Sequence, residues 1–155
     1  MSPEKVTGGC LCGAVRYEFD GKMMWPGLCH CAICRKMSGA AGGAWFGVLH
    51  DFCEISGPTA VYEYTADSGN HVTRAVCEKC RAPVYNKNSK MPDVMIIAAG
   101  SLDNPELFTP RMRFYAAGAP NWCAPEDGLQ RFAGMPHSEK SSPGGEFRAE
   151  REQEV

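Results

Sequence analysis

The chain has 155 residues, 44% of them hydrophobic, with a formal charge of −2 and a pI near 6.1. That length suits one domain with a modest core, and the acidic balance excludes a general phosphate-backbone binder, which needs a basic surface. The richest apolar run, Val94 to Ala99, is far too short to span a bilayer, and the first residues carry no apolar stretch of signal-peptide length, so the expectation is a cytoplasmic protein with neither nucleic-acid nor membrane partner.

In chain order, short alternating or β-branched segments predict strands over 14–19, 44–49, 52–55, 60–64, 71–76, 94–99 and 111–115. The fold class is therefore mainly β with little helix. The best helical signal is one short turn from Ala32 to Met37, stopped by Ser38-Gly39, which places Cys34 near its start. Trp25, Trp45, Phe46, Tyr62, Tyr64 and Trp122 read as core aromatics, since strands select such residues for packing. Gly42-Gly43 lacks the spacing of a phosphate loop. The domain is expected over 1–134, and 135–155 reads as a polar, poorly ordered tail, because it is turn-rich and lacks core residues.

Seven of the nine cysteines fall into three chelating clusters: Cys10-x-Cys12, Cys29-x-Cys31-x-x-Cys34 and Cys77-x-x-Cys80. In a reducing compartment such spacing favours metal ligands over disulfides. Two short chelates, Cys10/Cys12 and Cys77/Cys80, complete a tetrahedral set and predict a structural zinc; three thiolates within six residues, Cys29, Cys31 and Cys34, predict a second ion with one position free. Spacing alone also permits Cys29 and Cys31 to pair with Cys77 and Cys80. A fourth protein ligand from Cys53, Cys123, His30, His50 or His71 would close the second site and turn the protein into a non-catalytic zinc-stabilised binding module. With the position open, three thiolates make a weak Lewis acid suited to a soft thiol substrate rather than to hydrolysis.

The ordered motifs Gly9-Cys-Leu-Cys-Gly-Ala-Val-Arg-Tyr, Cys29-His-Cys-Ala-Ile-Cys-Arg-Lys-Met-Ser-Gly-Ala, Cys77-Glu-Lys-Cys and Ala99-Gly-Ser-Leu-Asp resemble the glutathione-dependent formaldehyde-activating enzyme family, shared with centromere protein V. The resemblance spans roughly Thr7 to Gly134. It implies several small coiled antiparallel sheets around two zinc ions, with Cys10, Cys12, Cys77 and Cys80 structural and Cys29, Cys31 and Cys34 catalytic. It also implies a carbon-sulfur lyase-type activity that joins a thiol such as glutathione to a small aldehyde such as formaldehyde, or cleaves the S-hydroxymethyl adduct. Ala119 to Leu129 is similar to the family's closing Trp and Asp-Gly-Leu segment.

One departure stands out: Arg81-Ala82-Pro83 follows the last CxxC where the family has Gly and a small residue. Because glycine tolerates positive φ while an arginine there is uncommon and costs energy, the turn at Cys80 is expected to differ from the usual knuckle. For the two carboxylates of a tripeptide thiol, Arg35 and Lys36 are the first candidates, since they directly follow a proposed ligand; Arg74, Arg111 and Arg113 rank behind them. Exposed strand edges in a small β domain offer a route to a homodimer.

Overall fold

A computed structural model describes residues 4–20, 22–123 and 126–135. In chain order its strands are β1 (Val6–Gly9), β2 (Arg16–Phe19), β3 (Met24–Cys29), β4 (Gly43–Leu49), β5 (Cys53–Ser56), β6 (Thr59–Thr65), β7 (His71–Cys77), β8 (Pro83–Asn88), β9 (Val94–Ala98), β10 (Met112–Phe114) and β11 (Gln130–Arg131). One α-helix, α1 (Ala32–Ser38), joins them, with short 3-10 turns between several strands. The mainly β reading holds. The tail expected from 135 lies, beyond Met135, outside the described residues.

The chain divides into two compact units: Met1–Met24 with Trp45–Phe108, and Trp25–Ala44 with Thr109–Val155. In the first, β2 pairs antiparallel with β1 and β5, and β4, β9, β8, β7 and β6 follow one another as antiparallel neighbours. Inward positions carry its core: Val15, Phe19, Phe46, Val48, Val84 and Ile97 are all but fully buried. The Phe46 ring lies 5.6 Å from that of Phe19 and 6.2 Å from that of Phe108.

In the second unit β10 runs parallel to both β3 and β11, a departure from the all-antiparallel expectation. Parallel neighbours need a long connection rather than a hairpin. Residues 115–129 provide it between β10 and β11, and most of the chain separates β3 from β10. Phe114 and Phe132, both buried, stack at 6.2 Å and form the apolar floor of this unit.

Four strands fall outside the sequence expectation. β1 ends in Gly8-Gly9, poor strand formers, yet a Cβ on Gly8 would lie 2.2 Å from the Tyr17 hydroxyl and one on Gly9 2.3 Å from the Val15 carbonyl, so only glycine fits there. β3 contains Pro26-Gly27, a turn signal; Pro26 has no N–H to offer, but its carbonyl accepts from Arg111 N at 2.8 Å, and Gly27 gives the Phe114 ring room. β8 is half polar, and β11 is only two residues long.

Candidate metal centres

The first unit gathers Cys10, Cys12, Cys77 and Cys80, with all four sulfurs within 4.8 Å of one another. Cys10 follows β1 and Cys12 closes the next turn, where Gly13 takes φ +78°. Cys77 ends β7, and Cys80 sits in the turn to β8. The Cys10 and Cys12 sulfurs are 3.6 Å apart, and Cys12 and Cys77 3.7 Å. Four sulfurs at about 2.3 Å from a tetrahedral zinc would stand about 3.8 Å apart, so this donor set fits such an ion.

Backbone N–H groups support the sulfurs. Val15 N donates to Cys10 Sγ at 3.2 Å and Lys79 N to Cys77 Sγ at 3.4 Å. The Val15 hydrogen bond is the main cause that holds the Cys10 thiol down to about 6, already favouring the ligating form. The turn after Cys80 keeps the left-handed residue of a metal knuckle, because Arg81 adopts φ +64° and its N–H donates to the Cys77 carbonyl at 3.0 Å. The expected distortion there is absent; arginine bears the conformational cost itself, of order 1 kcal/mol.

The second unit gathers Cys29, Cys31 and Cys34, again within 4.8 Å. Cys29 ends β3, and Cys31 caps α1, its sulfur accepting from Cys34 N at 3.3 Å. Gly39 closes α1 at φ +69°, and its N–H donates to the Arg35 carbonyl at 2.9 Å, the expected helix stop. The Cys31 thiol is pushed well down, first by the hydrogen bond from Cys29 and then by that from Cys34; Cys29, donating in that arrangement and buried, is pushed well up. Thus Cys31 ionises before Cys29. Cys77 and Cys80 are grouped with Cys10 and Cys12 instead.

Among the described residues, no fourth His, Cys, Asp or Glu joins the three-cysteine group. His50 and His71 are exposed beside Asp51 and Glu63. Burial pushes the Cys53 thiol up to about 11, the behaviour of a packed apolar residue. Cys123 is half-buried in a 3-10 turn. His30, though it lies between two of the cysteines, has both ring nitrogens engaged: Nδ1 donates to the Ala41 carbonyl at 2.8 Å, so Nε2 accepts from Arg113 Nη1 at 2.6 Å.

Residues 5–118 match the sequence profile described as glutathione-dependent formaldehyde-activating enzyme. The chain belongs to that family. No curated protein matches it significantly. Among solved structures, the crystal structure of a Rhodobacter sphaeroides protein is similar in fold, with a TM-score of 0.52 and 17% identity over 64% of this chain and 92% of that one. Membership of the glutathione-dependent formaldehyde-activating enzymes associates the chain with glutathione and formaldehyde, and the two cysteine groups could each hold a metal ion. No helix among the described residues is long and apolar enough to cross a membrane.

The cations read from sequence separate sharply. Arg35, half-buried, donates from Nε to the His30 carbonyl at 3.2 Å, which anchors it against the three-cysteine loop. Lys36 is exposed on the same helix. Arg74 is buried with its guanidinium 5.3 Å from the Trp45 ring and 5.6 Å from that of Tyr64, a packing role. Arg113 is buried against His30 and Asp127. That last link is invisible to local sequence reasoning, although His30 between two ligands and the Asp127-Gly128-Leu129 segment were its outward signs.

Proposed function

We propose that the protein is a zinc-dependent carbon-sulfur lyase that forms and cleaves the S-hydroxymethyl adduct of glutathione and formaldehyde. Zinc is the metal best matched to clusters of thiolates, and two ions per chain follow from the two groups. Cys29, Cys31 and Cys34 are read as the catalytic ligands, and Cys10, Cys12, Cys77 and Cys80 as the structural ones. The observation that carries this reading is the three-thiolate group without a fourth protein donor among the described residues, its nearest imidazole tied up elsewhere.

When bound there, zinc would supply a free coordination position that accepts a thiol as its thiolate at neutral pH. The chain's own residues do the rest. Cys29, Cys31 and Cys34 set the anionic, soft character of the site. Arg35, fixed at Nε, keeps its two terminal nitrogens for a carboxylate of the tripeptide, and Lys36 adds a second charge from the same helix. In the reaction, the thiol sulfur bonds to the aldehyde carbon, the carbonyl π bond opens, and the thiol proton ends on the new hydroxyl.

The uncatalysed reaction is reversible, so exchange NMR on an equilibrium mixture of glutathione and formaldehyde measures the activity directly. Interconversion should accelerate with wild-type protein and return to the spontaneous rate with Cys34→Ser. An unaccelerated wild-type rate, with two zinc ions bound, would remove the lyase reading.

A further inference from the structure

Zinc sites of three cysteines are commonly closed by a histidine, and here a histidine stands in the binding loop itself. In extended backbone successive side chains alternate, so Cys29 and Cys31 share one side and His30 takes the other. The structure holds it there from every direction. His30 is 3% exposed; its N–H donates to the Phe114 carbonyl at 3.0 Å and its carbonyl accepts from Arg35 Nε. A Cβ on Gly42 would fall 3.0 Å from Nδ1 and 2.4 Å from the Cys29 carbonyl, and one on Gly118 2.5 Å from the His30 carbonyl, so two glycine backbones are pressed against the loop.

Arg113 completes the clamp. Arg113 is 5% exposed, and its guanidinium uses both edges: Nη1 faces His30 Nε2 at 2.6 Å, while Nε and Nη2 donate to Asp127 Oδ2 at 3.1 and 2.6 Å. The other Asp127 oxygen accepts from Leu129 N at 3.2 Å. A buried guanidinium that loses its carboxylate is strongly destabilised, so Asp127 is what keeps Arg113 in place. Arg113 in turn keeps the imidazole turned away from the sulfurs.

We propose that His30, Arg113 and Asp127 are positioning residues: they fix the Cys29–Cys31 loop and hold the imidazole off the metal, which leaves the fourth position of the three-cysteine site to an external thiol. The inference rests on the two-metal reading given above and assigns Arg113 a role distinct from carboxylate binding. Outer partners of metal ligands commonly govern affinity by 10- to 100-fold, which sets the scale expected here.

The test uses the full chain loaded with cobalt(II), as wild type, Asp127→Asn and Arg113→Lys, with the two sites distinguished by the triple Cys29→Ser/Cys31→Ser/Cys34→Ser variant. Chelator-driven release from the three-cysteine site should be about tenfold faster or more in both variants, with altered ligand-field bands, while the four-cysteine site releases at the wild-type rate. Wild-type release and bands in both variants would overturn the inference, and so would parallel acceleration at both sites, which marks general destabilisation. Should Arg113→Lys fail to fold, Asp127→Asn decides alone, since its side chain is 29% exposed and the change is nearly isosteric. If the wild-type chain binds a single metal, the two-metal reading fails and this inference with it; if it binds two and both variants behave as wild type, only the inference fails.

Discussion

A methyl group added at Gly118 presses on the three-cysteine loop without touching a cysteine. The new Cβ would sit 2.5 Å from the His30 carbonyl oxygen, against about 3.4 Å for ordinary contact, so something must move by about 0.9 Å. The carbonyl has little freedom to move: Arg35 Nε holds it at 3.2 Å, and the residue's own N–H is bonded to Phe114. Overpacking of this kind costs about 1–3 kcal/mol. Where the loop relaxes once its metal leaves, that strain appears as metal affinity, roughly 5- to 150-fold weaker. Competition with a chelating dye reads the two sites separately; the loss should fall on the three-cysteine site alone. Gly100→Ala is the control, because no atom lies within 4 Å of its added Cβ, and it should change affinity at neither site. Unchanged affinity at the three-cysteine site in Gly118→Ala would show that the loop is not rigidly held, and the reasoning would fail.

Cys77→Ser removes a buried sulfur from the four-cysteine group; with the structural zinc proposed there, which contributes about 10–16 kcal/mol in small domains, as much as a whole domain's stability, dispersed NMR resonances from the first unit should collapse. A folded spectrum with one zinc lost would contradict the structural assignment. Phe46→Ala, at a fully buried position between Phe19 and Phe108, should cost about 3–5 kcal/mol in urea unfolding at saturating zinc, and a loss under about 1 kcal/mol would argue against this core. Asp103 is held down to about 2, first by Arg16 and then by Thr7; its folded value lies below the unfolded one near 3.9, so the stability it adds is present above that value and is lost as pH falls towards 2. Its carboxyl carbon should still report the ionised form at pH 4, and half-protonation there would refute the pairing.

The two cysteine groups were legible because short chelates are a local property: CxC and CxxC place sulfurs on one turn whatever surrounds them. α1 was legible for a similar reason, since Gly39 ends it within one residue of the expected stop. The strands that escaped were those where glycine or proline serves close packing: β1 needs Gly8 and Gly9 for the Tyr17 hydroxyl and the Val15 carbonyl, and β3 needs Gly27 for Phe114. Of these, the Gly27–Phe114 contact joins residues far apart in the chain, beyond the reach of a local pattern. Arg113 shows the same limit in the candidate site. As a cation on a strand it invites a reading as a carboxylate receptor, but its carboxylate is Asp127 of the same chain, and its partner His30 lies 83 residues away. Arg81 failed expectation in the opposite sense, for the knuckle geometry outweighs the residue's own preference.

The most direct test of an open, thiol-accepting site is a glutathione titration of the cobalt-loaded chain, followed through the sulfur-to-metal charge-transfer band, for wild type and for Cys29→Ser/Cys31→Ser/Cys34→Ser. The account predicts two cobalt ions in the wild type, with one gaining a fourth thiolate as glutathione is added, and a folded variant that holds one ion and ignores glutathione. Two fully coordinated ions whose wild-type bands do not respond to glutathione would contradict it.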